Sequence, residues 1–305
     1  KKQYLIEQAV MDMGYQIPKI RRGPKRKDHK LMIAVLFLGD DLRLLQDPET
    51  TYSPIFHSLL GMEIQEGVEI ASHLFTASSL LHADLGGYSG FIILGPPPKD
   101  QVVAEALEKM LSHLPLVYIQ DAVITAKFPT FLENVDRVFY ENQLIGCIAG
   151  RYLLSKGYKR LAILNPYYCH PIHDVRTNSF IHTLHEHHIQ AELYLNTTSR
   201  SNSPPVYADV DGLVERMVRG GALPEGLFVT NDIRAVHVYS ALLSRGIRPM
   251  VDIDIISCDN MPFFTNQMNP RPAEIDIGLD RLAHCAINLL RQSVDKNGEE
   301  PETVL

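Results

Sequence analysis

The chain is predicted to be an α/β protein built as two interleaved doubly wound parallel-sheet lobes with a cleft between them, and three observations predict it. Short apolar runs alternate with amphipathic segments along most of the length, the pattern of repeated βαβ units. Those runs end at polar residues, the edge at which parallel sheets bind ligands. At 305 residues the chain has the length for two lobes that each bury a core. Hydrophobic residues make up 45% and charged residues 21%, a globular balance that excludes a fibrous or disordered chain. No apolar run approaches the ~20 residues of a membrane span.

Taken in order, 31–38 is predicted as a buried strand, 54–67 as a helix and 70–76 as a strand. A strand at 90–94, a helix at 101–113 and a strand at 116–120 follow. The second set runs through a helix at 144–155, a strand at 160–164, a helix at 177–187 and a strand at 191–195, then a polar loop at 196–205. The sharpest unit is 226–260, GLFVTNDIRAVHVYSALLSRGIRPMVDIDIISCDN. Its apolar runs 227–229 and 253–256 flank a helical pattern at 233–244, so the two strands should lie parallel with the helix crossing over them. A candidate strand at 273–277, an amphipathic helix at 279–292 and the start of a last strand at 303–305 close the chain.

At the carboxyl ends of the strands in the 226–260 unit stand Asn231, Asp232 and Asp259, polar groups placed to converge on a small-molecule cleft. Asp232 directly precedes the helical pattern and is expected to cap it, leaving Asn231 to point into the cleft. In the first lobe Asp40 (with Gly39 and Asp41) ends one strand, and Gln120 and Asp121 end another, so topology alone makes them candidates. Two carboxylates can serve as general acid and base. No nucleophile or second acid stands near Asp232 and Asp259 in a known motif, and the chain has no GxxxxGK[ST], no GxGxxG after a strand, no HExxH and no GxSxG. The expectation is therefore a binding protein, not an enzyme, and one without a cofactor.

His182, His185, His187 and His188 crowd one helix, but no cysteine or carboxylate completes a tetrahedral set at zinc spacing, so no metal is expected. His170 and His173, with Tyr167 and Tyr168, follow a strand and are better placed to line the cleft. The chain has no tryptophan, so a stacking platform must be Tyr or Phe. Its four cysteines (Cys147, Cys169, Cys258, Cys285) are scattered; Cys147, Cys258 and Cys285 sit in apolar runs, read as buried free thiols of a reducing cytoplasm.

The net charge of −7 is uneven: residues 1–30 hold nine Lys or Arg against three acids, a surplus of six, so the remainder carries −13. An acidic body with a basic arm points to a polyanion at the arm alone; a solubilising tail is the blander alternative. Within the arm, Gly23-Pro24 breaks any helix, and Arg21, Arg22, Lys25, Arg26 and Lys27 are suited to phosphate contacts.

Several of these features together resemble the LacI/GalR type of bacterial transcription regulator. Asn231-Asp232 after one strand, Gly246 before the next and Asp259-Asn260 after it resemble the effector-binding domain of that family, and so do AGRYLLSKGYKRLAIL (149–164) and Arg176-x-x-x-Phe180. YLIEQAVMDMGYQIPK (4–19) resembles the last helix of the DNA-binding headpiece. Residues 138–142, VFYEN, are similar to the strand by which the family's chain crosses between lobes, with Glu141 where an Asp is usual.

The resemblance implies a periplasmic-binding-protein-like fold: residues 1–30 as the end of the headpiece and a linker, 31–141 with 274–295 as the N-terminal lobe, and 142–273 with 296–305 as the C-terminal lobe. It implies Arg176 opening a helix and reaching into the cleft beside Asn231 and Asp259, where a planar fork of donors suits a sugar or similar polyol. It further implies a cytoplasmic homodimer that controls DNA binding in response to a small effector, the headpiece helix that reads the major groove lying upstream of Lys1. A sugar-binding component of a transport system, which shares the two-lobed fold, is the alternative.

Overall fold

Met32–Phe37 (β1) reads MIAVLF, and five of its six residues are buried. A run apolar on both faces suits the centre of a parallel sheet, because helices cover both sides of it. In the computed structural model the described residues are 31–37, 51–66, 68–71, 79, 82, 84–95, 101–111, 114–120, 135–167, 170–196, 207–296 and 303–304. The basic arm with Arg21, Arg22, Lys25, Arg26 and Lys27 lies outside them, as do Asp40, Asp121, Tyr168, Cys169 and most of the 196–205 loop.

Around β1 stand β2 (Glu69–Ala71) and β3 (Gly90–Leu94), and β4 (Leu116–Ile119), β5 (Asp136–Val138) and β11 (Thr303–Val304) extend the sheet. Its order is β2-β1-β3-β4-β5-β11, every neighbour parallel. The second sheet is built from β6 (Leu161–Asn165), β7 (Glu192–Leu195), β8 (Gly226–Val229), β9 (Asp254–Cys258) and β10 (Ala273–Ile275). Its order is β7-β6-β8-β9-β10, again parallel throughout.

The helices that cover these sheets are α1 (Tyr52–Glu66), α2 (Gln101–Leu111), α3 (Asn142–Ser155), α4 (Pro171–Glu186), α5 (Tyr207–Arg219), α6 (Asp232–Leu243), the short α7 (Pro262–Thr265) and α8 (Leu279–Lys296). Alternate residues of β1 serve opposite layers, as the two-residue period of a strand requires. Ile33, Val35 and Phe37 join the core with Leu59 of α1 and Ile287 and Leu290 of α8, whereas Ala34 and Leu36 join Leu107 and Leu111 of α2. The second sheet divides the same way: Ile163, Phe228 and Cys258 go with Ala149, Leu153 and Phe180 of α3 and α4. Leu164, Leu227 and Ile255 go with Val214 and Met217 of α5 and with Val238 and Leu242 of α6.

Several expectations need correction. The 138–142 segment is not a strand: β5 stops at Val138, Glu141 caps α3 by accepting from the Gln143 N–H at 2.9 Å, and Asn142 is the first residue of that helix. The helix α4 begins at Pro171, six residues before the predicted start, because proline at its first position has no N–H to leave unsatisfied. Arg176 therefore stands in the second turn and does not open the helix. The helix α5 was not foreseen; Val210, Leu213, Val214 and Met217 form its buried stripe.

Ala273–Ile275 pairs with β9, so Glu274 and Ile275 belong to the second lobe and the return to the first begins after them. Thr303–Val304 pairs with β5 in the first sheet, not in the C-terminal lobe as the 296–305 boundary had it. Of the cysteines read as buried, Cys258 is, while Cys147 and Cys285 are half-buried; all three are free thiols.

In both sheets the order reverses next to the first strand of the lobe, between β1 and β3 and between β6 and β8. A reversal leaves a crevice beyond the carboxyl ends of the two strands that flank it. In the second lobe those ends deliver Tyr167 after β6 and Asn231 after β8.

Candidate ligand-binding cleft

The turn out of β6 is organised by Asn165, whose side chain accepts from the Tyr167 N–H at 3.0 Å and donates to Thr177 Oγ1 at 3.1 Å. This is the short polar side chain bonding to backbone two residues on that such turns favour. Pro171 then starts α4, and helical spacing puts Ile172, His173 and Arg176 on one face. All three line a cavity of about 250 Å³, close to the lower bound of typical ligand sites at ~300 Å³. From β8 and β9 come Asn231, Ile233, Asp259 and Met261, and from the other side Thr51, Tyr52 and Tyr140.

At the centre of the second-lobe wall is Arg176, 1% exposed. Its Nε donates to Asn142 Oδ1 at 2.8 Å and its Nη1 to the Thr230 carbonyl at 2.7 Å and to Cys258 Sγ at 3.0 Å. Nη1 also lies 3.0 Å from Asp259 Oδ1, and the guanidinium sits over the Tyr140 ring at 5.8 Å. Burial disfavours the charged guanidinium, yet the groups around it, the Asp259 carboxylate among them, outweigh it and hold Arg176 above the ordinary arginine value. Burial pushes the Cys258 thiol well up, so that sulfur stays protonated and Asp259 supplies the balancing negative charge. A buried pair of this kind is stable only with further hydrogen bonds, of which Asn142 and the Thr230 carbonyl supply two.

Asp259 is held in a backbone conformation that side chains rarely adopt, with φ at 107°, and Asn260 follows at 53°. Such geometry costs on the order of 1–3 kcal/mol and persists where the surroundings enforce it. The parallel pairing of β9 with β10 contributes, since the Asp259 N–H donates to the Ile275 carbonyl at 3.0 Å.

The cap expected of Asp232 belongs to Asn231, which also lines the cavity. Asn231 is the cap of α6, its Oδ1 accepting from the Arg234 N–H at 3.2 Å, while its Nδ2 donates to the Tyr167 hydroxyl at 3.0 Å. Asp232 is buried behind the cavity, accepting from Ser257 Oγ at 2.5 Å and from the Met261 N–H at 2.8 Å. Burial, then the nearby Asp259 charge, raises its carboxyl well above the usual range, against the pull of those two hydrogen bonds. The helix starts one residue earlier than the apolar pattern predicts, and the cap moves with it.

Tyr167, half-buried, stacks face to face on His173 with ring centres 3.8 Å apart and planes 5° from parallel. Arg234 donates from Nε to the Tyr167 hydroxyl at 3.0 Å and lies over its ring at 5.1 Å. Burial first, then the charges of Arg176 and Arg234 with His170 between them in weight, keeps His173 well below its ordinary pKa and hence neutral near pH 7. Of the remaining candidates, Gln120 is buried at the end of β4 and is not among the cavity's lining residues. His182 stands on an exposed face 3.5 Å from Glu186, and among the described residues no three His, Cys, Asp or Glu side chains gather at metal-binding distance. Asn142, Tyr140, Cys258 and Arg234 were missed as site residues; their positions at strand ends and in first helical turns were the available signal.

Two doubly wound lobes with a polar, ring-lined cleft at the carboxyl ends of their strands define a two-lobed ligand-binding protein. The model of the periplasmic binding protein-like domain matches residues 151–305. The chain belongs to that family. It is 27% identical over 176 residues to the HTH-type transcriptional repressor PurR of Histophilus somni strain 129Pt, covering 57% of this chain and 51% of the relative. The PurR repressor of Pasteurella multocida strain Pm70 is 26% identical over 157 residues, 51% of this chain and 45% of that protein. The chain thus spans about half the length of the curated relatives it matches.

Among solved structures, a LacI family transcription regulator from Clostridium acetobutylicum superposes with a TM-score of 0.65 at 20% identity, covering 90% of this chain and 97% of that one. The Lac repressor bound to ONPG gives 0.64 at 18% identity, with 100% and 88% covered. The regulator CelR in complex with cellobiose gives 0.65 at 16%, with 98% and 86% covered. At those identities the likeness is one of fold.

Proposed function

We propose that this chain is the effector-binding part of a ligand-responsive transcription regulator, taking a small polar effector, a sugar or sugar derivative, between its lobes. The observation that carries the reading is the buried Arg176–Asp259 pair at the floor of the cavity, with Asn231 on the same wall. Fixed donors and acceptors in a site walled by Tyr52, Tyr140 and Tyr167 suit a ring with several hydroxyls, which needs bonds at its edge and an apolar wall at its face. The relatives named as repressors, and those whose solved complexes hold ONPG or cellobiose, support a regulator of this class.

Binding that favours one arrangement of the lobes would shift the placement of attached DNA readers, with a coupling on the usual scale of ~1–3 kcal/mol. In this reading the protein works in the cytoplasm as a homodimer, without catalysis or cofactor, and the basic residues Arg21, Arg22, Lys25, Arg26 and Lys27 contact phosphates. Among the described residues no helix is long and apolar enough to cross a membrane.

A thermal-shift screen across monosaccharides, disaccharides and sugar acids tests it. A ligand at 100 times its dissociation constant adds about 2.7 kcal/mol of apparent stability, so a true effector should stand clear of the panel. A panel in which no compound moves the transition, at concentrations reaching millimolar, would count against the sugar class. Turnover of any compound would count against the binding role.

A further inference from the structure

Tyr167 is held as a bound molecule would be. Its hydroxyl oxygen accepts two hydrogen bonds, from Asn231 Nδ2 and Arg234 Nε, both at 3.0 Å. One face of its ring lies flat on the His173 imidazole at 3.8 Å, and the Arg234 guanidinium lies over it. Both donors stand at the start of α6, Asn231 as its cap and Arg234 in its first turn, whereas Tyr167 follows β6. The same wall holds a polar atom without a protein partner: His173 Nδ1 is buried and makes no hydrogen bond. A buried polar atom left unsatisfied costs about 1–3 kcal/mol, and one in the wall of a cavity is relieved when a ligand reaches it.

Resting on the proposal that this cleft binds an effector, we infer that Asn231, Arg234 and the His173 ring form a ligand subsite with Tyr167 as its resident occupant. The subsite takes a ring-shaped molecule that presents an acceptor oxygen. An entering ligand exchanges its own oxygen for the phenol oxygen between the two donors, and its own ring face for the tyrosine ring on His173. Tyr167 then gives up its place. The two donors make the chemistry selective: a group that accepts poorly, such as an aromatic amine whose lone pair is delocalised into its ring, meets N–H groups on both sides and is disfavoured.

The subsite can be read without knowing the effector, by emptying it and offering back what was removed. In Tyr167→Ala, phenol should raise the melting temperature and bind at least about tenfold more tightly than benzene, the factor expected for one to two net hydrogen bonds. Aniline, whose nitrogen lone pair is delocalised into its ring and accepts poorly, should do no better than benzene. In the wild-type protein, where the tethered Tyr167 competes for the same place, phenol should act far more weakly than in the variant. Phenol acting no better than aniline or benzene, or equally on wild type and variant, would overturn the inference. If Tyr167→Ala does not fold alone, its refolding yield in phenol against aniline makes the same comparison, equal yields overturning it. A silent sugar panel would leave this comparison standing, since phenol probes the subsite and not the identity of the effector.

Discussion

The Arg176 guanidinium and the Asp259 carboxylate meet at 3.0 Å with side chains 2% and 6% exposed, a buried ion pair at the floor of the cleft. Removing one partner of such a pair leaves an uncompensated buried charge, which costs about 3–5 kcal/mol, whereas removing both together can be nearly neutral. Arg176→Met and Asp259→Asn should each lower the unfolding free energy by several kcal/mol. The double variant should lose clearly less than their sum, because neither leaves a charge for the other to miss. Urea unfolding of all four proteins measures this; strict additivity would mean that the pair contributes nothing through its mutual contact.

Asp232 couples stability to pH. Its carboxyl is raised by burial and by Asp259, so the folded chain keeps a proton that the unfolded chain releases near pH 4. Stability from this group is therefore complete in acid and falls as pH rises from there toward the raised folded value, at a slope of up to about 1.4 kcal/mol per pH unit. Asp232→Asn keeps the geometry, since an amide can accept from the Met261 N–H and donate to Ser257 Oγ. The variant should show a flatter stability curve and exceed the wild type on the alkaline side. Matching slopes would show that Asp232 ionises freely in the fold.

How much of this was readable beforehand follows from the kind of signal each residue gives. Strand ends such as Asn231 and Asp259 announce themselves, because a polar residue closing an apolar run can do little else in a parallel sheet. Whether Asn231 or Asp232 caps α6 turns on a single residue of helix boundary, finer than apolar periodicity resolves. Cys258 looks like core because it ends a buried strand, and only the arrival of Arg176 from α4 makes it a polar contact. The last strand, Thr303–Val304, carries too little pattern to choose a sheet, and tertiary pairing with β5 decides it. The helix α5 was legible from the spacing of Val210, Leu213, Val214 and Met217 and was masked by the polar loop before it.

His173 pulls in the opposite direction from Asp232. Burial, with Arg176, His170 and Arg234 nearby, keeps its imidazole well below the ordinary value. An unfolding chain takes up a proton near pH 6.5 that the folded chain refuses, so stability is complete above that pH and is lost as pH falls from there toward the folded value. His173→Phe preserves a ring against Tyr167 and deletes Nδ1, which has no hydrogen-bond partner. Between about pH 7 and about pH 5 the variant should lose less stability than the wild type in urea titrations. Parallel curves would mean that the imidazole accepts its proton inside the fold.

The geometry of Arg176 depends on a glycine in another helix. A Cβ at Gly146 of α3 would overlap the Arg176 carbonyl oxygen and come within 2.8 Å of the Phe180 nitrogen and of Ser179 Cβ. Backbone atoms of α4 cannot swing aside as a side chain can, so Gly146→Ala must force the two helices apart. Overpacking of this kind costs typically ~1–3 kcal/mol. Gly212 of α5 is the control, because a Cβ there meets nothing within 4 Å and alanine should stabilise an exposed helical position by about 0.5–1 kcal/mol. Separating α3 from α4 would also draw Arg176 away from Asn142, which begins α3, and so disturb the cleft as well as the core. Gly146→Ala should therefore lower both the urea midpoint and the response to any compound found in the sugar screen, whereas Gly212→Ala should raise the first and leave the second unchanged. Two alanine variants with the same small gain would show that α3 and α4 have room to spare where they cross.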